Sequence, residues 1–214
     1  EIDRESEIGS PVTDLKLPVY QIENYTVAEL DATPVTTVEF IQKELLPDIT
    51  AKLQRMIDVE APISYEQLTK KVLRAFHIGR SSAQTLEVID RAMKKVAFKA
   101  NKQAGVRFIW RKEQNPDEYR IYRQETNLSD RRKPDEICQQ ELKNAVCVTL
   151  KDKGMLDKET LVRETIRTMG YARSGGALAE AVERGLKYGR KTGEIVQSPD
   201  KMFKLGRAEE EPCS

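Results

Sequence analysis

Residues Ile63–Lys94 read ISYEQLTKKVLRAFHIGRSSAQTLEVIDRAMK, and residues Leu156–Lys187 read LDKETLVRETIRTMGYARSGGALAEAVERGLK. The two stretches align without a gap at a spacing of 93 residues. Eight of the 32 positions are identical: Glu66/Glu159, Leu68/Leu161, Arg74/Arg167, Arg80/Arg173, Ser81/Ser174, Glu87/Glu180, Arg91/Arg184 and Lys94/Lys187. Ordinary residue frequencies would give about two. Pairs such as Ile63/Leu156, Leu73/Ile166, Ile89/Val182 and Met93/Leu186 keep apolar positions in the same register. Such self-similarity marks one supersecondary unit used twice.

Each copy reads as helix, extended piece, helix, turn, helix and then strands. Ile49, Leu53, Met56 and Ile57 fall on one helical face, and Leu142, Val146, Thr149 and Leu150 take their places 93 residues on. Pro47 suits the first turn of that helix. Ser64 caps a second helix with Gln67 at the capping-box position, and Asp157 is its counterpart. Leu68, Val72 and Phe76 form the buried stripe. The turns are His77-Ile78-Gly79-Arg80 and Gly170-Tyr171-Ala172-Arg173, with Ser81 and Ser174 as caps for the third helix. That helix offers Leu86, Ile89, Met93 and Val96 in copy one and Ala179, Val182 and Leu186 in copy two.

Beyond the third helix the period changes. Val106–Trp110 is β-branched and aromatic, Gln114-Asn115-Pro116-Asp117 signals a turn, and Glu118–Tyr122 alternates as a returning strand. Copy two supplies Gly193–Gln197, Ser198-Pro199-Asp200 and Lys201–Leu205. Three helices and a hairpin make a winged helix-turn-helix. The expected fold is therefore mainly α with small β-hairpin wings (α+β), in two tandem winged-helix-like domains at 36–126 and 135–206. Residues 127–134 would be the linker, and residues 1–35 an acidic extended arm that packs on the domains or orders only in a parent protein. Residues 207–214 would be a disordered tail.

Composition bounds the chemistry. A chain of 214 residues, 39% hydrophobic and 33% charged, suits two small cores. It has no apolar run of 18 residues and no signal-peptide pattern, so a cytoplasmic location without membrane contact is expected. It begins without Met and reads as a piece of a longer protein. Cys138, Cys147 and Cys213 are odd in number and lack CxxC spacing, and His77 is the single histidine. A disulfide framework, a metal site and a histidine-based triad are all disfavoured, so no cofactor and no catalytic residue are expected. Gly189-Arg190-Lys191-Thr192 matches the end of a phosphate-binding loop but lacks its spacing and follows a helix. Glu180 and Glu183 read as a solvated helix face.

Charge is unevenly spread. Residues 1–63 carry 13 Asp/Glu against 5 Lys/Arg, a net −8, so a total of +1 leaves +9 for the remainder. Residues 81–112 hold Arg91, Lys94, Lys95, Lys99, Lys102, Arg107, Arg111 and Lys112 against Glu87 and Asp90. Residues 173–191 hold Arg173, Arg184, Lys187, Arg190 and Lys191 against Glu180 and Glu183. Lys and Arg on a third helix and wing can neutralise phosphates by counterion release, so these residues are the candidate nucleic-acid contacts. Glu87 and Asp90 would repel phosphate and argue against deep sequence reading. Arg80 and Arg173 precede the third helix in both copies. Either they hold a phosphate at its N-terminus, or they pair with Glu66 and Glu159; repetition favours the pairing. Trp110 and Phe108 suit wing-to-core packing better than base stacking.

A further pattern lies in Asp58-Val59-Glu60-Ala61-Pro62-Ile63, Arg74–Ser81, Val106–Trp110, Arg132–Ile137 before Glu141-Leu142, and Gly170–Gly175. Over roughly residues 40–206 it resembles the uncharacterised domain at the C-terminal end of very large bacterial and archaeal helicase-like proteins. Those parents resemble superfamily-one DNA helicases and often carry an endonuclease-like domain of the very-short-patch-repair type. The resemblance implies an accessory module whose partners are DNA and the parent's other domains, with ATP hydrolysis left to the parent's motor. It carries over no catalytic residue. The family's glycine after the Arg-Ser pair is Ser82 in copy one and Gly175 in copy two. The expected function is non-catalytic nucleic-acid binding. The alternatives are a scaffold module that docks the parent's motor or nuclease domain, and a stand-alone plasmid replication initiator, which would usually be more basic.

Overall fold

Helix starts and stops follow local chemistry. The computed structural model describes residues 18–206, so the expectations for residues 1–17 of the arm and for the tail lie outside the described residues. In chain order the elements are β1 (Gln21–Asn24), α1 (Thr37–Phe40), α2 (Leu46–Glu60), β2 (Ile63–Ser64), α3 (Tyr65–Ala75), α4 (Ala83–Met93), β3 (Phe98–Gln103), β4 (Val106–Arg111) and β5 (Ile121–Gln124). Then come α5 (Gln139–Lys153), α6 (Lys158–Thr168), α7 (Gly176–Lys191), β6 (Ile195–Gln197) and β7 (Phe203–Leu205). The fold is an α+β mix, mainly helical with small sheets.

Both copies use the same devices. The Ser64 hydroxyl accepts from the Gln67 N–H and the Asp157 carboxylate from the Thr160 N–H, which starts α3 and α6. The reciprocal half of the box is missing, because the Gln67 amide turns to Glu136 instead, 3.4 Å away. At the C-terminal ends, the Ile78 N–H donates to Leu73 O and the Tyr171 N–H to Ile166 O. Those closures place His77 and Gly170 at φ 61° and 89°. The strands correspond too. Ile63 pairs with Ile109 in a sheet of order β2-β4-β3, and Leu156 bridges Phe203 beside the β6–β7 hairpin.

Three expectations are corrected. The cap of α4 is Ser82, and its counterpart at α7 is Gly175, each one residue beyond Ser81 and Ser174. Ser82 and Gly175 have the extended backbone of a cap, and the Ser82 hydroxyl accepts from the Thr85 N–H. The first hairpin runs 98–111, not 106–122: β3 and β4 meet at a tight turn of Ala104 and Gly105, both with positive φ. Its first strand, FKANKQ, is too polar to stand out. The segment expected to return as its second strand forms β5, which pairs in parallel with β1 of the arm. Within residues 127–134, the expected linker, Arg132 is buried.

Apolar packing follows the repeat only in part. One core gathers α2, α3, α4 and Ile109, and another gathers α5, α6, α7, Ile195 and Phe203. Tyr20 and Tyr122, from β1's flank and from β5, pack into the second core. Phe108, Trp110, Tyr119 and Cys138 form a third cluster that joins the first hairpin to the start of α5. Helix α5 is consequently covered on nearly every face, with Gln140, Glu141, Lys143 and Asn144 buried beside its apolar residues. The Asn144 amide donates to Tyr119 O and Ile121 O, holding β5 against the helix.

The buried charges meet at Glu141. Its carboxylate lies 2.6 Å from the Arg123 guanidinium and 2.9 Å from that of Arg132. Arg123 also donates to Glu60 O and Pro62 O, and Arg132 to Arg123 O and Glu125. The Tyr25 ring lies under both guanidiniums, at 5.3 and 4.3 Å, while its hydroxyl donates to Glu60, which Lys71 also pairs. Burial by itself would raise the Glu141 pKa, but the two guanidiniums outweigh it and hold the carboxyl down at about 2.

Two outcomes follow. Glu141→Gln preserves shape but leaves two buried guanidiniums short of a counter-charge, so urea unfolding at neutral pH should show a loss of about 3–5 kcal/mol. The native carboxyl titrates below its unfolded value of 4.5, so its contribution is complete above that value and fades as pH falls toward 2. The wild-type urea midpoint should therefore drop more steeply with acidification than that of Glu141→Gln. Separately, α7 crosses α5 at Gly185, where an added Cβ would sit 2.5 Å from the Leu142 carbonyl carbon and 2.7 Å from the Lys143 nitrogen. Gly185→Ala should cost about 1–3 kcal/mol in a thermal melt. A free or stabilising substitution would disprove the close crossing.

Candidate nucleic-acid interface

The outward face of α4 carries Glu87, Asp90 and Arg91, and Lys94 and Lys95 follow at its C-terminal end, all exposed. Arg91 pairs with Glu87 one turn back at 3.3 Å. The Tyr65 hydroxyl donates to Asp90 at 2.5 Å, and the Arg107 guanidinium lies over the Tyr65 ring at 5.1 Å. Arg107 sits opposite Lys102 in the ladder, next to the turn of the first hairpin. The hairpin tip is thus linked to the last turns of α4 through Tyr65 and Asp90. Lys94 and Lys95 make no ion pair among the described residues, and Lys112 is likewise exposed.

Other candidates in this half are bonded within the chain. Lys99 donates to Gln114 O at 3.0 Å and Arg111 to Asp58 O at 3.0 Å, fastening the loop after β4 and the end of α2. Arg111 also lies 3.3 Å from Glu113. Trp110 is fully buried, edge-on to Tyr119 at 5.3 Å, and its indole N–H donates to Asn101. It and Phe108 are out of reach of a base, although the core they pack into is the third cluster, not that of their own copy.

Arg80 and Arg173 are exposed, and neither forms the expected pair with Glu66 or Glu159 among the described residues. Arg80 and Glu66 line one groove without forming an ion pair. In copy two, a cleft of about 720 Å³ runs between α7 and the β6–β7 hairpin, bordered by Lys187, Arg190, Lys191 and Phe203. Arg190 lies over the Phe203 ring at 5.9 Å. The cleft's Lys158 is matched by Glu183 at 2.9 Å. Arg184 is engaged, donating to Pro134 O and Ile137 O at 2.9 and 3.1 Å.

The sequence reading missed the buried polar groups. Besides the Glu141 network, Lys143 lies 2.7 Å from Glu194, which also accepts from the Tyr20 hydroxyl at 2.5 Å. This clasp pins the arm to the second copy. Nothing in the local pattern distinguishes these charges from solvated ones. Burial pushes the thiols of Cys138 and Cys147 up to about 12, so neither supplies a thiolate near neutral pH. Among the described residues, no group of three or more His, Cys, Asp or Glu could hold a metal ion, and no helix is long and apolar enough to cross a membrane.

No protein-family model matches the chain, and no curated protein sequence is significantly similar to it. The placement of Arg184 makes one prediction: Arg184→Ala should lower stability by about 1–2 kcal/mol through its two lost hydrogen bonds. Any nucleic-acid affinity should be unchanged by it, as measured by thermal melting beside a binding titration.

Proposed function

We propose that this chain is a non-catalytic nucleic-acid-binding module made of two tandem winged-helix-like units, with the contact biased to the first. The topology supports the reading: in each unit, three helices precede a hairpin whose second strand pairs with the short extended piece between the first two helices. The observation that carries it is the joint exposure of Lys94 and Lys95 at the end of α4 with Lys102 and Arg107 at the hairpin tip. These cations border the outer face of the third helix, the element that winged helices lay against a duplex. Glu87 and Asp90 on that face disfavour close approach to base edges, so the binding is sequence-independent and directed at phosphates. In keeping with the family resemblance, the module would serve a longer DNA helicase-like protein in the cytoplasm, whose motor would hydrolyse ATP.

One observation favours the scaffold alternative. The outward face of α4 carries Glu87 and Asp90 among its cations, a mixed-charge surface that suits a protein partner. A scaffold would hold a motor or nuclease domain in a pull-down while ignoring DNA.

Fluorescence anisotropy with duplex, forked and single-stranded DNA at low salt separates the two. Binding should weaken along a log–log salt line whose slope flattens by about 2 when Lys94→Ala and Lys95→Ala are combined, in proportion to the phosphates released. Lys102→Ala with Arg107→Ala should act similarly on every sequence tested. Absence of binding at about 50 µM in low salt would sink the proposal, since even non-specific DNA binding falls within that range.

A further inference from the structure

We propose that the groove between α3, the arm and residues 129–136 is a binding site for a phosphate ester of nucleotide size. The proposal does not rest on the α4 surface. The groove encloses about 520 Å³, a volume typical of small-ligand sites. Its apolar floor includes Ala28, Leu30 and Met56, and Lys70, Arg74 and Lys133 stand around it. None of these three cations makes an ion pair among the described residues.

The repeat shows why Arg74 is free. Its counterpart Arg167 pairs with Glu164 at 2.7 Å. The position of Glu164 is occupied in copy one by Lys71, whose charge is taken by Glu60 at 2.5 Å. Copy one has thus exchanged a carboxylate for a lysine on α3 and left Arg74 beside Lys70 with no counter-charge. The neighbouring Arg131 is stacked on Tyr171 at 4.4 Å, so it stays at the rim.

A second observation concerns Gln67, which lines the same groove and is only 8% exposed. Its amide N–H reaches Glu136, while its Oε1 is buried without a donor. An unpaired buried acceptor is unfavourable, and a hydroxyl or amine would satisfy it. Asp130 and Glu136 at the edge act in the same direction. They oppose a bare anion and accept from a ligand that brings donors next to its phosphate. A phosphate ester with a sugar hydroxyl or base amine has both halves of that chemistry, whether as a free nucleotide or as part of a nucleic-acid strand.

The test is isothermal titration of the full chain at low salt with AMP, inorganic phosphate and a short single-stranded oligonucleotide. AMP should bind about tenfold more tightly than phosphate, through its additional hydrogen bonds. Lys70→Ala combined with Arg74→Ala should weaken AMP about tenfold or more, while Lys94→Ala with Lys95→Ala should leave it unchanged. Both altered pairs are exposed, and circular dichroism checks that each variant folds. Gln67→Met should remove the preference for AMP over phosphate. Oligonucleotide binding that depends on Lys70 and Arg74, with none for AMP, would identify the phosphate as that of a nucleic-acid strand. Equal affinity for AMP and phosphate, indifference to Lys70 and Arg74, or no binding by any probe would overturn the assignment.

Discussion

The Glu141 carboxylate is the charge on which the arrangement of the two copies depends. It is removed from water on the first turn of α5, where an unpaired carboxylate would be strongly unfavourable. Two arginines resolve that, one from β5 and one from the connection between copies, and each is committed further. Arg123 reaches the carbonyls of Glu60 and Pro62 in copy one, and Arg132 reaches back to the Arg123 carbonyl and to Glu125. Tyr25 of the arm lies under both guanidiniums. Displacing any one of these segments exposes or orphans charges held by the others. A cluster of this kind adds less net stability than an apolar core of equal volume, but it admits few alternative geometries.

This constraint explains why the two copies have diverged. In copy one, α2 is an ordinary first helix with one buried face. Its counterpart α5 is buried on nearly all sides, because the arm, β5 and the first hairpin cover what would have been its solvated face. The third helices differ accordingly. Copy one has Ala92 where α7 has Gly185, and the glycine lets α7 approach the α5 backbone closely. The second unit has become the structural centre, and the first retains the uncovered basic surface. That asymmetry is the physical basis for the proposal that nucleic-acid contact is biased to the first copy.

The basic residues divide by what their side chains reach, and in both copies. Lys99, Arg111 and Arg184 donate to backbone carbonyls, whereas Lys94, Lys95, Lys187 and Lys191 remain exposed. A long cationic side chain looks the same in sequence whether it ends on a carbonyl or in water. Only the position of the acceptor decides, and those acceptors lie as many as 53 residues away along the chain. The groove beside α3 is of the same kind, since its walls come from three separate segments.

What the sequence determined by itself is local and repeated. Helical periods, the caps at Ser64 and Asp157, the left-handed turns at His77 and Gly170 and the second hairpin follow from residues within one turn of each other. Backbone hydrogen bonding and steric limits act over that range, so a 93-residue period could display them twice. Tertiary structure alone decided the parallel pairing of β1 with β5, the polar first strand of the first hairpin, the burial of Arg132 between the two copies and the fate of each arginine. Those depend on which distant segment removes water from a polar group. Such a group is read as solvated until its partner, set by the fold and not by its neighbours in sequence, is in place.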